Sequence, residues 1–392
     1  MFTELKAILK DEGVLLFFFF LPIAYPLLYS WIYNNEVVRE VPVVLIDNSH
    51  SALSRTFAEK LDATPDVNVA YRSTDMLEAR SLIGHSKAYG IIYIPSDFDR
   101  SIGRMEQAHV SVYCDMSYML TYKAIFGAAT AVSLDMGTDI QKHLLGNKTN
   151  REDEIATHPL AYDEVPIFNT TGGYGNFILP GVLVLIIQQA ILLGVGMISG
   201  TEREKGFANY VKQKGISMFT RTASIFCGKS LAYILIFSVM LAWITLAVPH
   251  IFGFVSLVHG RDLLLFLTPY LLSCVFFAIT FSELVRYRES VMLIVVFTSV
   301  PFLFLSGVSW PQSNIPGVWQ GVGALIPSTY GIRGFLRMSS MGALLPDVAD
   351  EFKALWLQTI FYASTAMFVI WRRVKMGTNA VTTSQEPRKQ PL

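Results

Sequence analysis

Charge is scarce in this sequence: Asp, Glu, Lys and Arg make up only 16% of its 392 residues, against 52% hydrophobic. Soluble domains usually carry about a quarter charged residues, so a fold bathed only in water is excluded and much of the chain must face lipid. Net charge is missing too. Lys plus Arg and Asp plus Glu both number 31, so the basic footprint that nucleic acid needs is absent and no such partner is expected. Cysteine is nearly absent. Of three, Cys227 and Cys274 lie in apolar runs and Cys114 stands alone in a polar segment, which argues against an internal disulfide framework. The seven histidines form no His-Glu-x-x-His pattern, and neither Cys-x-x-Cys nor Gly-x-Ser-x-Gly occurs. No catalytic residue, metal site or cofactor is therefore expected on this chain. Isolated histidines such as His50 and His250 read as solvated loop residues. Internal repeats are lacking, and the only low-complexity piece is the polar stretch after Met376.

What is abundant is long apolar runs. Gly13 to Asn35 has no charged residue until Glu36 and is long enough to cross a hydrocarbon core of roughly 30 Å, which takes about 20 helical residues. A cleaved signal sequence is the alternative. Pro22, Pro26, the length of the run and the lack of a small-x-small site before Glu36 favour a retained span. Five further runs follow: Phe177 to Ser199, Ser230 to Pro249, Leu263 to Ser282, Ser290 to about Trp310, and Ala354 to Trp371. One set of flanks holds Lys6, Lys10, Arg203, Lys205, Lys212, Lys214, Arg221, Arg286, Arg288, Arg372, Arg373 and Lys375, and the alternate set only Arg261, Arg333, Arg337 and Lys353. Because cytoplasmic loops are the basic ones, both termini are expected in the cytoplasm, which six crossings satisfy.

Residues 36–171 then fall outside the membrane and alternate like a folded α/β unit. Val41 to Asp47 is a buried-strand run, Ser51 to Ala63 has helical spacing behind a polar start, and Val67 to Tyr71 is a short strand. Thr74 to Lys87 predicts a helix, Tyr89 to Pro95 and Val110 to Cys114 two more strands, and Tyr118 to Leu145 a long helix. The expected fold class is a polytopic α-helical membrane protein with six transmembrane helices, one plus five, and an α/β extracytoplasmic domain between the first two. Its parts are an amphipathic interface helix at 1–12, a first span at 13–35, the outer domain at 36–171, a five-helix block at 172–376 and a tail at 377–392.

Several local patterns have two readings. Ala223 to Ser230, with Gly228 and Lys229, satisfies a loose phosphate-loop pattern. A phosphate loop needs a strand before and a helix after it, however, whereas this one sits between a basic loop and a membrane span, so it is rejected and Lys229 is expected to snorkel. Phe2, Leu5, Ile8 and Leu9 oppose Glu4, Lys6, Lys10 and Asp11 at helical spacing, the pattern of a helix lying in the membrane surface. The connection at 200–222 contains Glu202, Arg203, Glu204, Lys205 and Gly206, readable as a solvated loop or as a docking helix. Gln188 and Gln189 lie mid-span, where interhelical hydrogen bonding and a place on the substrate pathway both explain them. Between 306 and 338 an apolar stretch is broken by Ser306, Gly307, Pro311, Pro316 and Pro327 before Tyr330 and Arg333. Such backbone is expected as a re-entrant hairpin on the outer side, with a wet loop as the alternative.

Taken together, these segments resemble the ABC-2 family of membrane permeases, in its bacterial branch with a large loop after the first span. The amphipathic start with Glu4 and Asp11 leading to Pro22, the entry Phe177-Ile-Leu-Pro180-Gly181, the run Glu202-Arg-Glu204-Lys-Gly206 and the stretch Ser306-Gly307 through Pro327-Ser-Thr-Tyr330 carry the resemblance. Phe207 departs from the Thr usual in the family. The resemblance implies the permease half of an exporter in the bacterial inner membrane, paired with a second permease as homodimer or heterodimer. ATP-binding-cassette ATPases underneath would bind ATP and Mg. It implies ATPase coupling through Glu202, Arg203, Glu204 and Gly206, an amphiphilic cargo, contact with membrane lipids, and room for a periplasmic adaptor. A membrane-anchored, receptor-like binding protein without ATP coupling is the competing reading.

Overall fold

The computed structural model describes residues 1–34, 37–145, 167–169, 172–205, 217–254, 256–285 and 287–385. Its chain forms two compact units, one from Met1–Glu36 with Ile167–Leu392 and one from Val37–Pro166.

The first unit is helical. Helix α1 (Phe2–Lys10) buries Ile8, packs Leu5 beside it against the core and turns Phe2 and Leu9 outward. It ends at Asp11, whose carboxylate accepts from the backbone N–H of Gly13 and Val14 and so starts the next helix, α2 (Glu12–Ile32), an N-cap on orphan amides. Residues Leu16–Phe20 of α2 and Trp243–Ala247 of a later helix form π turns, each two residues before a proline, Pro22 and Pro249. Proline has no N–H for the residue four back, and a wider turn relieves that mismatch.

Helix α7 (Tyr174–Glu204) is the hub of the unit and is buried over most of its length, as a helix apolar on all sides must be. Around it pack α2, α8 (Met218–Phe252), α9 (Gly260–Phe281), α10 (Ser290–Leu305) and α12 (Pro327–Met341), and α13 (Ala349–Gln385) closes over α8 and α9. The short α11 (Gly317–Gly323) turns into α12. Among the described residues five helices are long and apolar enough to cross a membrane: α2, α7, α8, α9 and Leu345–Met376. The run expected from Ser290 to about Trp310 yields only the 16 residues of α10, about 24 Å at 1.5 Å per residue. It stops because Ser306 caps it and Gly307 follows at φ +87°, a left-handed step that glycine takes at little cost. At the other end of the block α13 continues past Met376 to Gln385, into the stretch read as a tail.

The second unit is an α/β domain: β1 (Val41–Asp47), α3 (Ala52–Asp62), β2 (Val67–Arg72), α4 (Met76–Gly84), β3 (Gly90–Ile94), α5 (Phe98–Gly103), β4 (Ser111–Cys114) and α6 (Met119–Leu145). The sheet order is β2-β1-β3-β4, with β1 parallel to both neighbours and β4 antiparallel to β3. From β1 the chain steps one way to β2 and then back across to β3. Right-handed crossovers place the two connecting helices on opposite faces. Accordingly Val41, Val43 and Leu45 pack with Phe57 and Leu61 of α3 and Ile125 of α6, while Val44 and Ile46 pack with Ala79 of α4. Covered on both faces, β1 reads as an unbroken apolar run.

Candidate functional site

Three sets of charged residues of the helical unit gather around α1, the end of α7 and the link between α9 and α10. Lys229, on α8, is 7% exposed. Its Nζ donates to Glu4 Oε1 of α1 at 2.7 Å and to Glu202 Oε1 of α7 at 2.8 Å, and the Tyr233 hydroxyl donates to the same Glu4 oxygen at 2.6 Å. The snorkelling lysine expected from the sequence is thus corrected to a buried one holding two carboxylates. The phosphate-loop look-alike around it is continuous helix. A buried ammonium is tolerable only when paired and hydrogen-bonded, and a lysine four carbons from its backbone reaches both acids here without reaching water.

A second knot joins α1, α7 and the link before α10. Arg288 grips Asp11 with both Nη atoms, at 2.7 and 2.6 Å, a bidentate fork that fixes direction as well as distance. The Arg288 backbone N–H donates to Glu204 Oε1 at 3.1 Å. A third knot centres on Glu283, just past α9. Arg203 and Arg373 approach its Oε2 at 3.1 and 3.2 Å, and Arg373, 2% exposed, also donates to the hydroxyls of Ser199 and Ser282. Through these knots α1, α7, α8, α13 and the α9–α10 link are cross-tied at one end.

The electrostatics follow from this packing. Burial alone would raise the Glu4 carboxyl, but the Lys229 charge and the hydrogen bonds from Lys229 and Tyr233 outweigh it and hold the group below its ordinary range. Asp11 behaves alike: burial pushes it up, and the Arg288 fork with the Val14 and Gly13 amides brings it down below the usual carboxylate value.

Of the residues singled out by sequence, the structure brings Glu4, Asp11, Glu202, Arg203 and Glu204 into this cluster. Glu202 and Arg203 point inward to partners on the same chain, whereas Glu204 and Lys205 are exposed. Gly206, with Phe207, Lys212, Lys214 and Arg286, lies outside the described residues. Lys229, Tyr233, Glu283, Arg288 and Arg373 complete the cluster and carry no local signature in the sequence. The available signal was the presence of unmatched acids at Glu4 and Asp11 in a chain otherwise poor in charge.

Elsewhere, Gln188 Oε1 accepts from the Ser328 backbone N–H at 2.7 Å, capping the first turn of α12, and Cys274 Sγ lies 3.8 Å away. Among the described residues the amide of adjacent Gln189 finds no partner. Ser306 is buried at the end of α10, Pro311 and Pro316 start short helical turns, and Pro327 is the first residue of α12. Arg333 lies 5.7 Å from the Tyr330 ring centre and 3.8 Å from Glu351, which also takes Arg337 at 3.2 Å. These residues form a separate group around α12. No group of His, Cys, Asp and Glu suited to a metal occurs among the described residues.

The sequence model of a family described as "ABC-2 family transporter protein" matches residues 13–368. No curated protein matches the chain.

Proposed function

The chain belongs to the ABC-2 transporter family, and from that premise we propose that it is the export permease of an ATP-binding-cassette system, driven by a separate ATPase docked at the charged end of its bundle. Such an ATPase would bind the ATP and Mg, and this chain supplies the membrane pathway. The observation that supports the reading most is the cross-tied cluster. A push on the segment after α7 reaches α1 and α8 through Glu202 and Lys229, and α9 and α13 through Arg203, Glu283 and Arg373. Elements tied this way shift together, which suits a two-state bundle biased by a partner.

In this reading the charged end, rich in Lys6, Lys10, Arg203, Arg288, Arg372 and Arg373, faces the cytoplasm of a bacterial inner membrane. The α/β domain then stands outside, where it receives cargo or meets a periplasmic adaptor. The pathway is completed by a second permease, identical or related, and bordered by lipid. With α10 and the apolar stretch through Pro327 the chain makes a sixth crossing, the stretch re-entering from the outer side. The cargo is an amphiphile taken from the cytoplasm or inner leaflet, and Gln189, buried and with its amide unpaired among the described residues, is the pathway residue of choice.

Glu204 is the exposed acid of the pair and spends one oxygen on the Arg288 backbone N–H, whereas Glu202 is turned inward to Lys229. Glu204→Lys is expected to leave the chain folded yet cut co-purification of the ATPase, and stimulation of its ATP hydrolysis, at least about tenfold, as reversed charges at an interface do. Undiminished co-purification and stimulation would overturn the coupling role. Absence of any ATPase from the wild-type chain purified in mild detergent with ATP would favour the receptor-like alternative.

A further inference from the structure

The α/β domain holds a cleft of about 410 Å³ at the carboxyl ends of β1 and β2, the end of an open parallel sheet where small ligands sit. Arg55, Arg72, His50, Ser73 and Thr74 line it, together with the acids Asp47 and Glu78. Helices α3 and α4 both begin there, directing the positive ends of their dipoles toward it.

Arg72 owes its place to a bulge. Between Pro42 and Val44 strand β1 advances two residues while its partners in β2 run from Asn68 to Tyr71, an advance of three. The extra residue flips the alternation, so that Arg72 pairs with Leu45 and shares its face, the face of α3. Bulges of this kind re-aim a side chain. Without it, Tyr71 would stand there. Arg55, on α3, is aimed from the other wall: its Nη1 donates to the His50 carbonyl at 3.0 Å, and His50 is held at φ +49° by its own N–H donating to Asp47 Oδ1.

The balance of donors and acceptors decides what fits. Asp47 already accepts from the backbone N–H of Ser49 and His50 and from the Ser54 hydroxyl, and Glu78 from the Ser73 hydroxyl. Among the described residues the Arg72 guanidinium makes no hydrogen bond or ion pair, and Arg55 uses one of its five donors. Both Asp47 oxygens are engaged and, among the described residues, Glu78 keeps one oxygen unbonded, while the two exposed guanidiniums keep most of their donors. We infer that this cleft binds a small oxyanion, a phosphate or carboxylate group, forked between Arg55 and Arg72. The inference goes beyond the export reading and stands without it, since it is tested on the purified chain with no ATPase and no transport.

The test is equilibrium dialysis of the full chain in a nonionic detergent at low ionic strength, where surface charges are least screened, with inorganic phosphate and with octyl phosphate below its micelle-forming concentration. Saturable binding is expected, weakened at least about tenfold by Arg72→Gln or Arg55→Gln and unchanged by Arg80→Gln, an exposed arginine on α4 outside the cleft. Equal affinity for both probes supports the site and identifies a free ion as its ligand. Tighter binding of octyl phosphate, lost equally in the two cleft variants, supports it and identifies the headgroup of an amphiphile. No saturable binding by the wild-type chain, or an equal loss in Arg80→Gln, overturns it.

Discussion

Lys229 carries two carboxylates on one ammonium, with Glu4 225 residues and Glu202 27 residues away in sequence. Removing it takes from both acids the ammonium they share, and breaking a buried pair costs about 3–5 kcal/mol. Lys229→Met is therefore expected to lower stability in detergent by about that amount, and the double variant with Glu4→Gln to lose less than the sum of the single changes, as read by denaturant unfolding. Equal and additive losses would mean that the pair does not act as one. The acids give a pH dependence with a definite sign. Glu4 and Asp11 are depressed below their ordinary 4.5 and 3.8, so the unfolded chain takes up protons first. Their contribution is complete above those ordinary values and is lost as pH falls through the lower folded ones. Hydrogen exchange of residues 2–10 is expected to lose protection as pH drops below about 4.5, and Glu4→Gln to flatten that slope. Protection independent of pH would show that apolar packing of Leu5 and Ile8 alone holds α1. Glu4 and Asp11 were legible in sequence as the polar side of an amphipathic helix. Their partners were not, because a charge pair closed by tertiary folding leaves no spacing to read.

At the scale of elements, the approach of α2 to α7 depends on Gly194. A Cβ there would stand 1.7 Å from Phe18 Cε1, and the Phe18 ring is itself locked edge-on against Tyr233 and Phe237 at 5.9 and 4.8 Å. Neither side has room to give. Gly194→Ala is expected to destabilise the bundle by about 1–3 kcal/mol, the range for overpacking. Phe18→Leu in the same chain is expected to recover part of it, a coupling visible in a double-mutant melting cycle. A neutral Gly194→Ala would mean that the helices separate freely at this point. Helix existence was plain from apolar runs, because a span needs little beyond length and the absence of charge. Helix ends were less so. Leu305 ends α10 where the sequence pattern runs on to Trp310, since the Ser306 cap and the left-handed Gly307 outweigh continued hydrophobicity. In the α/β domain alternation revealed the strands, but the bulge in β2 reversed the faces of Tyr71 and Arg72, and no period-two pattern anticipates a reversal inside its own run.

At the scale of the whole molecule, the α/β unit is an insertion, and within the helical unit the chain before it and the chain after it meet, the rings of Tyr33 and Tyr174 being 5.6 Å apart. A loop that leaves and returns at one place is removable with little entropic consequence. Replacing residues 37–166 by a short Gly-Ser linker is expected to leave a monodisperse helical bundle in detergent, and residues 37–166 alone to unfold cooperatively in water. An aggregated bundle, or an isolated domain without a cooperative transition, would show that each unit needs the other to fold. By itself, the sequence determined that the chain lives in lipid, that its apolar helices fall into one plus a later block, and that an α/β unit is inserted between them. Hydrophobicity and periodicity are local properties, written residue by residue. Only the tertiary structure decided that Glu202 turns inward to Lys229, that Arg288 forks Asp11 from 277 residues away, and that Arg72 faces a cleft. Those outcomes depend on which surfaces meet, and the free energy of a buried charge is set by the partner the fold delivers to it.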